Sequence, residues 1–237
     1  MKKLIIAIDG PSGVGKGTLA RALSRQLGYR HIDTGAMYRA VGWKTAREGI
    51  PPDDEQAVAD MAARSEIVVE GGVVSIDGHD ITRAIRTPEI DRVAAVVARL
   101  PRVRAALVAR QRALGAAGGV IMEGRDIGTV VFPAADVKIY LDASAEERAR
   151  RREAEPAHTG GQSGRAAVAA SIQARDASDT TRAASPLTRA ADAVLIDTTD
   201  MTIDAVVHTA IQIVRTRTAE FAELGPQKSD SLKNAEG

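Results

Sequence analysis

A glycine-rich segment near the start of the chain contains residues that could bind phosphate. The segment, which has the spacing G-x-x-x-x-G-K, consists of Gly10, Pro11, Ser12, Gly13, Val14, Gly15, Lys16, Gly17 and Thr18. Glycines allow backbone N–H groups to curve around phosphate oxygens without a clash from a Cβ atom. A lysine at this spacing adds a positive charge for the β- and γ-phosphates of a nucleotide. The segment therefore predicts the binding of a nucleoside triphosphate through its phosphate groups.

The elements on either side of this segment fit a phosphate-binding loop. The apolar run Leu4–Ile8 predicts a buried strand before it, and the pattern of Gly15–Leu27 predicts a helix after it. The strict motif has Ser or Thr directly after the lysine to hold Mg²⁺, whereas here Gly17 stands there and Thr18 follows. A structural turn with a chance lysine is the alternative. GTPases, shikimate-type kinases and motor ATPases share such loops, so the loop alone does not name the acceptor.

A second group of candidate residues follows two other predicted strands. Tyr38 and Arg39 lie on the helix after the second predicted strand, and Arg125 and Asp126 follow the third. Arginine can bind a phosphate bidentately, and open α/β sheets bind ligands at the carboxyl ends of their strands. The residues therefore predict an acceptor site that contains a phosphate. The alternatives are a solvated arginine with a core tyrosine, and a surface ion pair at a strand end.

Arginines crowd a later part of the chain. On either side of the glycine- and serine-rich stretch 158–164 lie Arg148, Arg150, Arg151, Arg152, Arg165 and Arg175. Like charges on one helix are destabilising unless anions neutralise them. The functional interpretation is a mobile lid whose arginines close over a transferring phosphate and exclude water. The alternative is a solvated face that neighbouring glutamates balance.

The order of the predicted elements indicates a parallel α/β core. Strands are expected at 4–8, 29–32, 120–123, 137–141 and 193–196. Helices are expected at 15–27, 36–47, 101–116, 168–177 and 203–217, and one more should begin at the capping box of Ser144 and Glu147. Two strand-like runs on either side of Gly71 and Gly72 predict a hairpin within 66–78, which interrupts the alternation.

We therefore predict a single domain over residues 1–217. The predicted parts are a core of 1–40, 101–150 and 171–217, an acceptor-binding insert of 41–100, and a lid of 151–170. Residues 218–237 are predicted to be the end of the last helix and then, from Gly225, a disordered tail. The tail prediction rests on its polar composition, which offers little apolar surface to bury.

Composition limits the class of protein. The 237 residues have a formal net charge of +1 and no cysteine. These values argue against a broad nucleic-acid-binding surface, disulfides and thiolate metal sites. The apolar run near the N-terminus is too short for a signal peptide or a membrane span. We expect a cytoplasmic protein that binds neither membranes nor nucleic acids, and we expect its four scattered histidines to be structural or exposed.

Four segments together resemble the bacterial cytidylate kinases, which belong to the nucleoside monophosphate kinase group of the P-loop kinases. The segments are GPSGVGKGT at 10–18, DTGAMYR at 33–39, PRVR at 101–104 and GRDIGTVVFP at 124–133. The resemblance runs from about residue 4 to 215 and includes the GKGT form of the loop, which is usual in this group. It implies a P-loop kinase fold with a parallel five-stranded sheet, an enlarged acceptor lobe that contains the hairpin, and a mobile lid.

The resemblance also implies roles for particular residues. ATP would be bound by the loop 10–18 with Arg151 and Arg152. CMP would be bound by Thr34, Tyr38, Arg39, Arg104, Arg125, Asp126, Asp179 and Arg182. Within this set, Arg104 and Asp126 would contact the cytosine edge, and Arg125 the acceptor phosphate. Catalysis is assigned to Lys16, Arg125, Arg151 and Arg175, with Mg²⁺ as the cofactor of ATP.

The implied reaction is transfer of the γ-phosphate of ATP to CMP or dCMP by a monomeric enzyme. A kinase for another nucleoside monophosphate such as UMP, a kinase of the shikimate type and a P-loop GTPase remain alternatives, although an N/T-K-x-D guanine motif is absent from the sequence. Two positions differ from the family pattern. Ala95 stands where a serine commonly touches the base, and Glu123 stands where Asp is frequent. Glu123 is assigned to the water shell of Mg²⁺, and a simple strand-end acid is the alternative.

Overall fold

The computed structural model describes residues 3–154 and 164–223. Within these ranges five parallel strands form the main sheet, in the order β2-β6-β1-β7-β8, and three antiparallel strands form a small sheet, in the order β3-β4-β5. The strands are β1 Ile5–Asp9, β2 Arg30–Asp33, β3 Ile67–Glu70, β4 Val73–Ile76, β5 His79–Asp80, β6 Val120–Gly124, β7 Val137–Asp142 and β8 Val194–Asp197. The predicted fold class, a parallel α/β core with an inserted antiparallel piece, is confirmed.

Helices cover both faces of the main sheet. They are α1 Lys16–Leu27, α2 Thr34–Arg47, α3 Glu55–Arg64, α4 Pro88–Val97, α5 Pro101–Gly115, α6 Ala145–Glu153, α7 Arg165–Thr181 and α8 Ile203–Glu223, with a π-helical turn at Ile127–Val131. In the part of the chain that the structure describes, none of these helices is both long and apolar enough to cross a bilayer. The tail from Gly225 and most of the stretch 158–164 lie outside the described residues.

The central strands are apolar because both of their faces are buried. Ile6 and Ile8 of β1 are fully buried, as are Ile121 and Met122 of β6. Continuous apolar runs of this kind are typical of strands that are covered by helices on both sides. One core joins α1 and α8 to the sheet, and the other joins the opposite face to α2, α3, α5 and the small sheet. The sheet is thus a rigid frame for the loops at its edge.

The register of the strands brings three functional segments to one edge. Asp9 at the end of β1 pairs with Gly124 at the end of β6, and Asp33 at the end of β2 pairs with Glu123. The phosphate loop, the start of α2 and the turn after β6 therefore leave the sheet side by side. This is the edge at which open parallel sheets bind ligands.

The predicted elements appear with small shifts, and the insert contains additional ones. Helix α2 begins at Thr34 rather than at residue 36, because the Asp33 carboxylate accepts a hydrogen bond from Ala36 N and caps the helix. The hairpin of the insert is confirmed, while β5, α3 and α4 are not among the elements predicted from the sequence. The capping box at Ser144 is half formed. Its hydroxyl accepts from Glu147 N at 3.2 Å, but Ser144 N donates to Thr199 Oγ1 at 2.9 Å.

Gly42 sets the distance between α2 and α4. A Cβ atom at this position would lie 3.0 Å from the backbone nitrogen of Ala94 on α4, closer than side chains normally approach. The change Gly42→Val should therefore lower the free energy of unfolding by about 1–3 kcal/mol, the usual cost of overpacking a tight contact. The measurement is urea unfolding. The control is Ala46→Val at an exposed position of the same helix, which should shift stability by about 0.5 kcal/mol or less. Equal effects of the two changes would contradict close packing at Gly42.

Candidate active site

The phosphate loop joins β1 to α1 in a shape that only glycine permits at its first position. Gly10 has a φ of 149°, and a Cβ atom there would lie 2.2 Å from the carbonyl oxygen of Leu141. At the other end, Gly15 is the N-cap of α1, with a φ of 92° and no side-chain cap. The first-turn N–H groups of a helix are available for an anion when no side chain caps them. The loop therefore has the geometry to bind phosphate oxygens.

Lys16, the first residue of α1, folds back over this loop. Its Nζ atom donates to the carbonyl oxygens of Gly10 at 2.9 Å and Pro11 at 2.6 Å. Burial and the nearby Arg125 charge lower the pKa of Lys16, while the carboxylates of Glu123 and Asp179 act in the opposite direction. A phosphate next to the ammonium group would favour its charged form. Lys16 thus lies where an anion bound in the loop would contact its ammonium group and raise its pKa.

The predicted acceptor residues come together in a cavity of about 50 Å³ beside the loop. The residues that line it include Thr34, Tyr38, Arg104, Arg125, Asp126, Asp179 and Arg182. Only Arg39 of the predicted acceptor set is missing from this lining, and it lies one residue beyond Tyr38 on α2. Ala95 lines the cavity as well. The sequence prediction therefore corresponds to one compact place in the structure.

Charges alternate in this cavity. Arg104 Nη2 donates to Asp126 Oδ2, and both side chains are buried. Arg125 Nε donates to Asp179 Oδ2 at 2.8 Å, and Arg182 Nη1 donates to Asp179 Oδ1 at 3.4 Å. Although burial acts to raise the pKa of Asp179, its arginine neighbours hold that pKa below the ordinary value. These carboxylates orient the arginines before any ligand contacts them.

Two buried guanidinium N–H groups of the cavity have no hydrogen-bond partner in the described part of the chain. Arg104 Nε and Arg182 Nη2 make no hydrogen bond with any residue that the structure describes. Buried polar atoms almost always have a partner, and leaving one unpaired costs about 1–3 kcal/mol. A guanidinium also lies over the ring of Tyr38, with Arg104 Cζ 5.3 Å from the ring centroid. The cavity therefore offers donors to a ligand that has hydrogen-bond acceptors on its edge.

The predicted lid arginines separate into two groups. Arg152 and Arg175 both contact Asp91 of α4, together with Arg39. Arg151 instead donates to the carbonyl oxygen of Thr198 at 2.6 Å and to its hydroxyl at 2.9 Å. The Nη1 atom of the same residue lies 3.4 Å from the carbonyl oxygen of Val14 in the phosphate loop. Arg151 therefore lies against the phosphate loop, whereas Arg152 lies with Arg39 and Arg175 at Asp91.

A carboxylate of α7 contacts the phosphate loop directly. Asp176 Oδ1 accepts from Ser12 N at 3.2 Å, and its other oxygen accepts from Arg148 Nη1. Neither Asp176 nor Asp91 is among the site residues predicted from the sequence. Its position directly after the predicted Arg175 could have indicated Asp176 from the sequence. Asp91 could not have been found in this way, because in the sequence it is only one of the acids in the first turn of a helix.

Glu123 lies beside the first turn of α1. A Cβ atom on Gly17 would be 3.1 Å from Glu123 Oε1, so glycine leaves room for an acid where the strict motif places a hydroxyl. His31 Nε2 lies 2.8 Å from the same oxygen, which gives this histidine a structural contact at the edge of the site. No group of three or more acids, histidines or cysteines within the described ranges could hold a metal on its own. One carboxylate beside a phosphate loop nevertheless fits Mg²⁺, which takes most of its ligands from phosphates and water.

Asp9 holds the turn that carries Arg125 and Asp126. Its buried carboxylate accepts hydrogen bonds from Ile127 N at 2.8 Å and Gly128 N at 2.7 Å, in the π-helical turn after β6. Burial raises the pKa of Asp9 to about 6, although these two hydrogen bonds oppose the shift. Asp9 is also absent from the residues predicted from the sequence. It ties the end of β1, where the phosphate loop starts, to the acceptor cavity.

Similarity to known proteins agrees with this geometry. The chain matches the family model described as cytidylate kinase over residues 6–216. It is 46% identical over 223 residues to a cytidylate kinase of Solibacter usitatus (strain Ellin6076), covering 91% of this chain and 94% of that one. It is 49% identical over 220 residues to a cytidylate kinase of Syntrophotalea carbinolica (strain DSM 2380 / NBRC 103641 / GraBd1), with the same two coverages. A crystal structure of a gluconokinase from Sinorhizobium meliloti 1021 has a TM-score of 0.50 at 14% identity, over 94% of this chain and 98% of that chain, and supports the fold alone.

The raised pKa of Asp9 predicts a stability that depends on pH. The ordinary pKa is 3.8 and the value in the folded chain is about 6, so the native state binds this proton more tightly than the unfolded chain does. The contribution of Asp9 to stability is therefore fully present below about pH 4 and is lost as the pH rises through about 6. From about pH 4 to pH 7, the unfolding free energy of wild type relative to Asp9→Asn should fall by up to about 3 kcal/mol. Asp60→Asn, at an exposed position, is the control, and a difference between wild type and Asp9→Asn that stays constant with pH would contradict the assignment.

Proposed function

The chain belongs to the cytidylate kinase family, and we propose that it transfers the γ-phosphate of ATP to CMP or dCMP, releasing ADP with CDP or dCDP. The observation that carries this proposal is the cavity beside the phosphate loop, in which Arg104 and Asp126 form a buried pair with a donor left over. The family match favours CMP over the UMP, shikimate-type and GTPase alternatives.

Asp126 and Arg104 are proposed to recognise the base. An ionised carboxylate can only accept hydrogen bonds, so Asp126 would accept from the exocyclic amino group of cytosine and repel the carbonyl oxygen that uracil has there. Arg104 Nε, which has no hydrogen-bond partner among the described residues, would donate to an acceptor on the same edge of the ring. Ala95 also lines the cavity. Its methyl group cannot form the hydrogen bond that the serine common at this position in the family gives to the base, so we expect weaker selectivity for cytosine.

Four arginines and one acid are proposed to hold the acceptor's phosphate and sugar. Arg39 and Arg125 would contact the phosphate, and Arg175 would join them from α7. Asp179 already pairs with Arg125 and Arg182, which places this acid where it could accept from a sugar hydroxyl while orienting both arginines. Thr34 donates its hydroxyl to the carbonyl oxygen of Glu123 at 2.7 Å, so its part is to fix the edge of the cavity.

ATP is proposed to bind with its phosphates in the loop 10–18. Lys16 would exchange the carbonyls of Gly10 and Pro11 for phosphate oxygens, and Arg151 and Arg152 would contact the nucleotide from α6. ATP-dependent kinases of this kind generally use a divalent metal, and we propose Mg²⁺ with Glu123 contacting its water shell. When bound, the metal would neutralise phosphate charge.

The proposed chemistry needs no general base. A phosphate oxygen of CMP is already ionised at neutral pH, so it can attack the γ-phosphorus as the bond to the β-phosphate oxygen breaks and ADP leaves. Catalysis then comes from positioning and from neutralising charge, for which Lys16, Arg125, Arg151 and Arg175 are the proposed residues. Helix α6 ends and helix α7 begins within the predicted lid of 151–170, which we propose closes over the phosphates.

We propose one kinase domain over 1–217, with a core of 1–40, 101–150 and 171–217 and an acceptor insert of 41–100. We propose that it acts as a monomer in the cytoplasm on small-molecule substrates alone, with no nucleic acid or membrane as partner. Activity across a panel of monophosphates, followed as ADP release, tests the proposed substrate, and equal rates with CMP, UMP and AMP would contradict it.

Lys16→Met should lower kcat by at least about 100-fold, because it removes a charge that neutralises the transferring phosphate. The melting temperature should change little, since the Lys16 contacts are to loop carbonyls rather than to the apolar core. The measurement is coupled ADP release together with thermal unfolding. The control is Lys44→Met in the acceptor insert, where the lysine pairs with Asp77 and Glu48. Turnover near the wild-type rate in folded Lys16→Met would defeat the loop assignment.

Asp126→Asn should change base selectivity. The amide keeps the size of the side chain but can turn its NH₂ group toward the carbonyl oxygen of uracil. We expect kcat/KM for CMP to fall at least about tenfold, which is about 1.4 kcal/mol, and the CMP to UMP ratio to narrow. Steady-state kinetics with both acceptors provides the measurement, with Asp60→Asn as the charge-matched control. An unchanged ratio would show that Asp126 does not read the base, and Arg104 would then be the next residue to test.

A further inference from the structure

Three arginines from three different helices converge on the carboxylate of Asp91. Arg39 Nε of α2 lies 2.8 Å from Asp91 Oδ1, and Arg175 Nη1 of α7 lies 3.4 Å from the same oxygen. Arg152 Nη2, at the end of α6, lies 3.1 Å from Asp91 Oδ2. The Asp91 side chain is only 15% exposed. All three arginines are ones to which the proposed function gives a phosphate.

The three guanidinium groups share the Asp91 carboxylate, and other acids act on two of them. The charges of Asp33 and Glu123 act on Arg39, and the charge of Asp179 acts on Arg175. Burial together with the charges of Arg39 and Arg125 lowers the pKa of Arg175 to about 10. A phosphate monoester has a charge of about −1.5 to −2 at pH 7, so it would compete strongly with a single carboxylate for these guanidinium donors.

The cluster lies between the two proposed substrate sites. A cleft of about 520 Å³ separates α4 from α7, and Asp91, Arg152 and Arg175 line it together with Ser12 of the phosphate loop. Arg175 also lines the smaller acceptor cavity. The Asp91 carboxylate therefore lies in a cleft that extends from the phosphate loop to Arg175.

We propose that Asp91 is an internal competitor of the acceptor phosphate: it occupies Arg39 and Arg175 until CMP binds, and it thereby sets the affinity for CMP. This inference rests on the proposed function for the identity of the acceptor. Carboxylate and phosphate oxygens use the same guanidinium donors, so binding of the phosphate requires at least part of the Asp91 contacts to be given up. The cost of breaking those contacts is subtracted from the binding free energy of CMP.

A purely structural role for Asp91 makes the opposite prediction. If the carboxylate only ties α4 to α6 and α7, its loss would loosen the site, and CMP would bind more weakly or equally well. If the carboxylate competes with phosphate, its loss removes the competing acceptor from Arg39 and Arg175, and CMP would bind more tightly. The sign of the change in affinity separates the two roles.

The experiment measures the dissociation constant of CMP by calorimetry for wild type, Asp91→Asn and Asp91→Glu. Asp91→Asn should lower the constant at least about fivefold, and Asp91→Glu, which keeps the charge, should remain near wild type. Glu89→Gln is the matched control, because it removes an exposed carboxylate from the same helical turn. Cytidine, which lacks the phosphate, should bind Asp91→Asn and wild type equally well. The KM for CMP should fall as well, and by the same factor when CMP dissociates faster than it is turned over.

A second probe keeps the inference testable if CMP does not bind. Inorganic phosphate should raise the melting temperature of Asp91→Asn by more than that of wild type or Glu89→Gln. No binding of CMP to wild type would defeat the proposed function, while the phosphate series would still decide the role of Asp91. Asp91→Ala replaces Asp91→Asn if the latter does not fold. Affinity for CMP and protection by phosphate that stay equal or fall in the neutral variants would overturn the proposal.

Discussion

Buried positive charge is the constraint on which the site depends. Binding two nucleotides through their phosphates requires several cations close together, and removing a cation from water is costly unless an anion or a hydrogen-bond acceptor contacts it. In this site each group of arginines contacts a carboxylate. The four carboxylates are Asp91, Asp126, Asp176 and Asp179. Lys16 is the exception, since two loop carbonyls accept its hydrogen bonds. The phosphate-binding groups are thus oriented by the protein itself.

The fold makes these pairings possible because it brings distant segments to one edge of the sheet. The paired ends of β1 and β6 place the phosphate loop beside the turn that carries Arg125 and Asp126, and Asp9 fixes that turn through two backbone amides. The segment 41–100 supplies the acid that pairs with Arg39. Its helix α4 packs closely on α2 at Gly42, and this contact positions Asp91 against Arg39. The packing of small residues in the insert therefore determines an electrostatic contact in the site.

The parts of this arrangement that the sequence predicts are those whose signals are local. The phosphate loop and the five strands of the main sheet follow from glycine spacing and short apolar runs, and the acceptor residues follow from strand ends and a family resemblance. Asp91 could not be predicted in this way, because its three arginine partners lie 52, 61 and 84 residues away. Helix α4 is also ambiguous from sequence, since its valines favour a strand as much as a helix, although Thr87 and Pro88 are readable start signals.

The same constraint explains why arginine rather than lysine is used between the two substrates. Phosphoryl transfer moves a charged group from the phosphate loop toward the acceptor, so the cations between them must change partners without becoming unpaired. A guanidinium has five N–H donors in a fixed plane, whereas an ammonium group is a compact point charge. Arg152 and Arg175 can therefore keep one donor on Asp91 while another contacts an arriving phosphate oxygen. If Asp91 yields its arginines to the acceptor phosphate as proposed, the exchange can proceed one hydrogen bond at a time, so that each guanidinium keeps an anion at every step.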